Sequence, residues 1–179
     1  MEAINDKNIS IIYGRCKVLA EMLNNLKEIY KNGNENQKAF IETIIGAAIW
    51  YIPKPKNFWT GKISVEAIKM FQNKDIEKPK LSEEHDIPRK FAAKELLETN
   101  IFLSAEYVEK QFTEKYCKIN YITQEENKKA IKYQRTDVYH NSEEVYKKAN
   151  INLIQIDIEQ LKQIKQRNEN IIKSMLKKI

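Results

Sequence analysis

Glycine and proline are scarce in this sequence, with only four of each among 179 residues. All-β sandwiches and barrels need many tight turns, and these two residues make most of them, so their scarcity favours helices. The two cysteines are too few for a disulfide framework or a cysteine-rich zinc site. Because the N-terminus also lacks the apolar segment of a secretory signal, we expect a protein of the reducing cytoplasm.

Long apolar runs are also missing. The longest candidate, residues 40–52, is interrupted by Glu42 and Thr43 and falls short of the roughly 18 apolar residues that a membrane span needs. The sequence therefore predicts no membrane partner. It contains no glycine-rich phosphate loop, no Gly-x-Ser-x-Gly and neither the Cys-x-x-Cys nor the His-Glu-x-x-His zinc spacing, which argues against the enzymes built on those motifs.

Positive charge is present in excess, with 31 Lys and Arg against 25 Asp and Glu and a net charge of +6. A basic balance is typical of nucleic-acid-binding proteins. However, the chain is rich in Lys, Ile and Asn together, the three residues that an AT-rich genome favours, so the charge alone does not indicate a partner. With 42% hydrophobic residues the chain can bury a sizeable core.

The first of three regions, residues 1–80, has the apolar periodicity of helices. The spacing predicts helices over 9–30 and 35–49, and a short third helix capped by Ser64. The third region, residues 136–179, contains His140 in a loop and a long final helix from about residue 158 to the end. We expect all three regions to form one compact domain.

The middle region, residues 81–135, holds the residues that indicate chemistry. His85 follows two glutamates, Glu83 and Glu84, and precedes Asp86, Ile87 and Pro88. Beyond it the pattern predicts helices over 91–98 and 104–115, followed by a short strand over 117–123.

A further helix is predicted to begin after this strand. Thr123 is a good N-cap, and Glu126 three positions later completes a capping box. Asn127 then lies on the first turn of the helix. A histidine beside carboxylates, a strand and an Asn-bearing helix therefore follow one another in the sequence.

This combination resembles the HNH, or ββα-metal, endonucleases. The likeness covers residues 81–135 and is carried by Glu84-His85-Asp86-Ile87-Pro88 and by the strand-to-helix turn that leads to Asn127. The resemblance implies a small two-stranded ββα element on a helical body. The expected fold class is mainly α, of the α+β type.

The resemblance also implies roles for individual residues. His85 would be the general base, since histidine accepts a proton near neutral pH. Glu84 and Asn127 would hold one Mg²⁺ or Mn²⁺ through oxygen ligands, and Asn120 would support the loop that carries the histidine. The residues predicted to contact phosphate are Arg89, Lys90, Lys128, Lys129 and Lys132.

The sequence thus predicts a metal-dependent endonuclease that hydrolyses phosphodiester bonds in DNA, with RNA as another substrate that the same site could serve. The alternative is a non-catalytic helical module that binds nucleic acid or protein. In that case Glu84, His85 and Asn127 would not converge. A homodimer through the apolar stripe of the last helix would suit double-strand cleavage.

Overall fold

The computed structural model describes residues 6–136 and 141–177, which form nine α-helices and four short strands. The predicted mainly-α, α+β class is confirmed. The helices are α1 (Asp6–Asn32), α2 (Glu35–Trp50), α3 (Val65–Gln72), α4 (Arg89–Glu98), α5 (Ala105–Gln111), α6 (Gln124–Thr136), α7 (Ser142–Ala149), α8 (Ile158–Lys165) and α9 (Glu169–Leu176). The strands are β1 (Trp59–Ser64), β2 (Ser82–His85), β3 (Ile119–Ile122) and β4 (Leu153–Gln155). No helix in the described ranges has both the length and the apolar character to cross a membrane.

The chain folds into two compact units, each assembled from two separate stretches of sequence. The helical unit comprises the chain up to Phe58 together with Ile87–Lys118, and the sheet unit comprises Trp59–Asp86 together with the chain from Ile119 onward. The three consecutive regions expected from the sequence divide the chain at other positions, and they stay a prediction. The chain crosses between the units directly before β1, after β2 and before β3.

Four helices, α1, α2, α4 and α5, build the core of the helical unit. Their apolar stripes meet in a cluster that includes the fully buried Leu23, Ile45, Leu96 and Val108. Asn34 caps α2 in a capping box with Gln37, which fixes where that helix begins. A π-helical turn, Phe112–Tyr116, prolongs α5. The predicted helix over 104–115 is therefore present, but it changes its winding in its last turn.

The sheet unit contains a four-stranded sheet in the order β2-β3-β1-β4. Strands β2 and β3 are antiparallel, β1 and β3 are parallel, and β4 pairs with β1 in the antiparallel sense. The sequence placed one strand, over 117–123, which corresponds to β3, and the resemblance implied a two-stranded element without placing its other strand. The sequence pattern missed β1, whose Gly61 weakens the strand pattern and has a positive φ of 85°, and β4, which is only three residues long.

Helices cover both faces of this sheet. Ile122 and its neighbours on one face pack against Ala130 of α6 and Val145 of α7. Ile63 on the other face packs against α3, α8 and α9, in a cluster that includes Ile68, Leu161 and Ile172. Each side chain of β2 and β3 therefore faces one of two helical layers, which lie on opposite faces of the sheet.

The predicted single final helix is wrong. The chain forms α8 and α9 instead, separated by a break in which Arg167 has a positive φ of 59°. Asn168 caps α9 by accepting hydrogen bonds from the backbone of Asn170 and Ile171. The break lets both short helices place an apolar side, Ile164 on α8 and Ile172 on α9, against the same face of the sheet.

Candidate functional site

The pairing of β2 with β3 determines which predicted side chains share a face. Glu84 lies opposite Asn120, and His85 lies opposite Ile119. Directly opposed residues in a sheet project to the same face, whereas consecutive residues project to opposite faces. The structure therefore brings Glu84 and Asn120 together and directs His85 to the other face of the sheet.

Asn120 is the centre of a buried polar cluster. Its side chain is fully buried, and its Oδ1 accepts a hydrogen bond from Thr60 Oγ1 at 2.5 Å. Its amide nitrogen lies within hydrogen-bonding distance of Asp86 Oδ1 (3.0 Å), Ser142 Oγ (3.2 Å) and Tyr146 OH (3.3 Å). We call Thr60, Asp86, Asn120, Ser142 and Tyr146 the Asn120 cluster.

Asp86 is held in this cluster from several directions. Besides the amide of Asn120, Ser142 Oγ donates to Asp86 Oδ1 at 3.0 Å, and the Ser142 backbone N–H donates to the Asp86 carbonyl at 2.8 Å. Asp86 directly follows His85 in the chain. The cluster therefore fixes the backbone at the point where β2 ends.

Negative charge accumulates on this side of β2. Burial raises the pKa of the Tyr146 hydroxyl above its usual value, and the charges of Glu84 and Asp86 act in the same direction. Tyr146 is thus a neutral hydroxyl at neutral pH. Both carboxylates lie close enough to it to affect its ionisation.

Glu84 also makes a contact to α6. The side chain is 8% exposed, and its Oε1 accepts a hydrogen bond of 2.7 Å from Nε2 of Gln134. His85 is buried to a similar extent, with 7% exposed, on the opposite face. Neither residue is the surface side chain that its polar neighbours in the sequence would suggest.

Asn127 lies on the first turn of α6, as predicted. The capping box that precedes it is confirmed: Thr123 Oγ1 accepts from the Glu126 backbone N–H at 3.1 Å, and Glu126 Oε2 accepts from the Thr123 backbone N–H at 2.8 Å. Glu126 Oε2 also accepts from Ser64 Oγ at 2.6 Å, which ties α6 to the end of β1. Among the described residues, the buried Oδ1 of Asn127 has no hydrogen-bond partner.

The hydrogen bond that Glu84 makes to α6 lies at a different turn of the helix from Asn127. Glu84 contacts α6 at Gln134, seven positions beyond Asn127, which corresponds to about 10 Å along a helix axis. Two ligands of one Mg²⁺ lie within roughly 4 Å of each other, since each is about 2 Å from the ion. The axial separation of Gln134 and Asn127 exceeds this distance, and the long Gln134 side chain spans part of it. Within the described ranges, no group of three or more His, Cys, Asp and Glu side chains is placed to hold a metal.

The predicted phosphate-contacting residues fall on two elements. Lys128, Lys129 and Lys132 are exposed on α6 in the sheet unit, where Lys128 pairs with Glu125 at 2.7 Å. Arg89 and Lys90 are exposed in the first turn of α4 in the helical unit. His140 lies outside the described residues.

Three members of the Asn120 cluster, Thr60, Ser142 and Tyr146, have no counterpart among the sequence-based candidates. They lie 60, 22 and 26 positions away from Asn120 in the sequence, and no local pattern indicates such contacts. Asp86 could have been found, because Glu84 and Asp86 are two positions apart and a strand presents such residues on one face.

Comparison with known proteins adds no assignment: no family model, no curated protein and no solved structure matches this chain.

Proposed function

We propose that this protein is an HNH-type endonuclease that hydrolyses phosphodiester bonds in DNA. The observation that carries the proposal is the hydrogen bond from the Asn120 amide to Asp86, the residue that follows His85. The HNH resemblance assigns an asparagine at the place of Asn120 the task of supporting the loop that carries the histidine. A bond at this point is what that role requires.

The order of elements also supports the proposal. Strands β2 and β3 are antiparallel neighbours, and α6 begins two residues after β3 and contacts Glu84 through Gln134. This is a ββα arrangement with α4 and α5 inserted between the strands. The insertion accounts for the 42 positions between His85 and Asn127.

His85 is the proposed general base. Because it leaves β2 on the face opposite Glu84, a phosphate that contacts both must lie past the end of the strand, which stops at His85. The exposed Lys128, Lys129 and Lys132 on α6 supply the positive charge that attracts a nucleic acid to the sheet unit.

The metal ligands are the part of the prediction that we revise. Glu84 and Asp86 are two positions apart and both raise the pKa of Tyr146, and hard oxygen ligands suit Mg²⁺ or Mn²⁺. We therefore propose Asp86 in place of Asn127 as the second ligand. A bound cation would provide the Lewis acid for the scissile phosphate.

Plasmid cleavage tests the proposal. Supercoiled DNA is incubated with the protein in Mg²⁺, in Mn²⁺ or in EDTA, with an RNA substrate in parallel, and nicked and linear products are quantified. We expect cleavage with either metal and none in EDTA. His85→Ala should slow cleavage by at least roughly 100-fold, the usual contribution of a general base.

Two variants and a control locate the ligands. Glu84→Gln should abolish cleavage, whereas Asn127→Ala should leave it near the wild-type rate. Glu159→Gln removes the same charge from an exposed position on α8 and should have no effect. Cleavage that survives His85→Ala would refute the assigned base, and loss of cleavage in Asn127→Ala would restore the original ligand pair.

The second candidate is a nucleic-acid-binding module without catalysis. It is favoured by the separation of Asn127 from the Glu84 contact by two turns of α6, and by the opposite directions of Glu84 and His85. Under this alternative the Asn120 cluster is purely structural. Binding of DNA without cleavage under any metal condition would decide in its favour.

A further inference from the structure

Three cations and two aromatic side chains lie together in the helical unit, where α2 ends. The Arg89 guanidinium carbon is 4.9 Å from the centroid of the Trp50 ring, and Lys54 Nζ is 5.3 Å from the same centroid. The Arg15 guanidinium donates a hydrogen bond to the Tyr51 carbonyl. We call Arg15, Trp50, Tyr51, Lys54 and Arg89 the Trp50 surface.

Both aromatic side chains of this surface are open to solvent. Trp50 is 41% exposed and Tyr51 is 70% exposed, although burying either would stabilise the fold. The Trp50 ring holds two cations, Lys54 and Arg89, over its face, so its exposed position has a contact of its own outside the core. The Tyr51 ring is the more open of the two and can accept a further planar group.

The arginines of this surface are not explained by ion pairs, and Arg89 is not explained by the stability of its own helix. Neither Arg15 nor Arg89 forms an ion pair with a carboxylate of the described residues. Arg89 opens α4, where a positive charge opposes the helix dipole and where the first turn contains no acidic residue. Its charge is therefore unfavourable with respect to the dipole of α4.

The position of Arg89 depends on a close approach of two helices. A Cβ atom added to Gly46 of α2 would lie 3.3 Å from the carbonyl oxygen of Arg89 and 3.4 Å from its Cβ. Glycine at this position lets α4 begin directly against α2, four residues before Trp50. The placement of the guanidinium over the indole is therefore built into the packing of the unit.

We propose that the Trp50 surface binds unpaired nucleotides of a nucleic-acid strand, with phosphates at the cations and a base stacked on Tyr51. Exposed aromatic rings interleaved with cations are the combination that single strands require, because every unpaired base offers a π-face. Paired bases hide their faces, so a duplex would use only the charges. An acidic peptide would pair with the cations, but its carboxylates would not stack on the aromatic rings. The inference deepens the proposed function and rests on its nucleic-acid substrate.

Fluorescence anisotropy of short labelled oligonucleotides tests the proposal, in EDTA so that binding is separated from cleavage. We expect Tyr51→Leu to weaken binding of a single strand more than binding of the matching duplex. Tyr51→Leu should weaken single-strand binding roughly tenfold, the scale of one lost stacking contact. Arg89→Gln should reduce the slope of log K against log salt by about 0.7, the value for one phosphate contact on a single strand.

Lys31→Gln is the matched control, because it removes one positive charge from an exposed position of the same unit. It lies sixteen residues beyond Arg15 on α1, about 24 Å along the helix axis, and should change neither affinity nor slope. Circular dichroism confirms that each variant is folded. Poly-glutamate is included as a competitor.

The proposal for the Trp50 surface and the proposal of nuclease activity can be refuted independently. Wild-type protein that binds single strands but never cleaves would refute the nuclease and support the surface. Four results would overturn the surface: no binding of single strands, a Tyr51→Leu variant that weakens duplex binding as much as single-strand binding, poly-glutamate competing as well as nucleic acid, or wild-type binding by Tyr51→Leu and Arg89→Gln. Cleavage together with any of these four results would support the nuclease proposal and refute the proposal for the Trp50 surface.

Discussion

Asn120 illustrates how a single buried amide can organise the end of a strand. Its carbonyl accepts from Thr60, and its amide nitrogen lies between three oxygens, one of them on the Asp86 carboxylate. A buried polar group that is fully hydrogen-bonded costs little, but the partners left behind after its removal lose their compensation. The residue therefore stabilises the fold and positions the chain beside His85 at the same time.

Replacement of Asn120 by alanine should lower the free energy of unfolding by about 2–4 kcal/mol, because several buried oxygens lose a donor together. Urea denaturation followed by circular dichroism measures this change. Asn170→Ala, at an exposed position of α9 in the same unit, should change stability by less than about 0.5 kcal/mol. Equal effects of the two substitutions would show that the Asn120 cluster contributes nothing.

At the scale of elements, β1 is the strand that joins the two halves of the sheet. It pairs with β3 on one side and β4 on the other, and its pairing with β3 is irregular between Trp59 and Ile63. Gly61 lies within this irregular stretch, and its carbonyl accepts a hydrogen bond from the Ile156 backbone N–H at 2.8 Å. Its positive φ lets β1 change its register against β3 while the hydrogen bond from Ile156, the residue after β4, is kept.

Two alanine substitutions should therefore have opposite effects. Gly61→Ala should destabilise the protein by about 1–2 kcal/mol, since residues with a Cβ avoid positive φ and the added atom would also displace the flexible side-chain amide of Gln155. Gly14→Ala, in the interior of α1 with nothing within 4 Å, should stabilise it by roughly 1 kcal/mol. Thermal unfolding of both variants provides the comparison, and a Gly61→Ala variant as stable as the wild type would contradict the described conformation of Gly61.

At the scale of the whole molecule, each unit contains tyrosines that are difficult to ionise. Burial raises the pKa of Tyr30 and Tyr116 in the helical unit and of Tyr146 in the sheet unit. Nearby carboxylates, Glu42 beside Tyr30 and Glu95 beside Tyr116, act in the same direction. The folded protein thus retains protons that the unfolded chain releases near pH 10.

This difference predicts a loss of stability in alkali. The stabilising contribution of the three tyrosines is complete below about pH 10 and declines as the pH rises towards their values in the folded state. Phenolate absorbance, recorded against pH together with circular dichroism, should show a late group of tyrosines that ionise only as the protein unfolds. Tyr146→Phe should remove one phenolate from that late group. Ionisation of all tyrosines before unfolding would contradict the prediction.

The sequence by itself determined the features whose causes are local. Apolar periodicity and the caps at Ser64 and Thr123 depend on residues within three or four positions, so the helices that follow these caps could be placed in advance. Periodicity also predicted the apolar residues of α8 and α9, but not the positive φ of Arg167 that separates the two helices.

Only the tertiary structure decided which residues meet. Trp59 pairs with Ile119 and Thr60 bonds to Asn120 across sixty positions, and sequence spacing carries no information about such pairings because the chain between them is free to take many paths. For the same reason the sequence could place Glu84, His85 and Asn127 in one motif, whereas the register of β2 against β3 placed Glu84 with Asn120 and directed His85 to the opposite face.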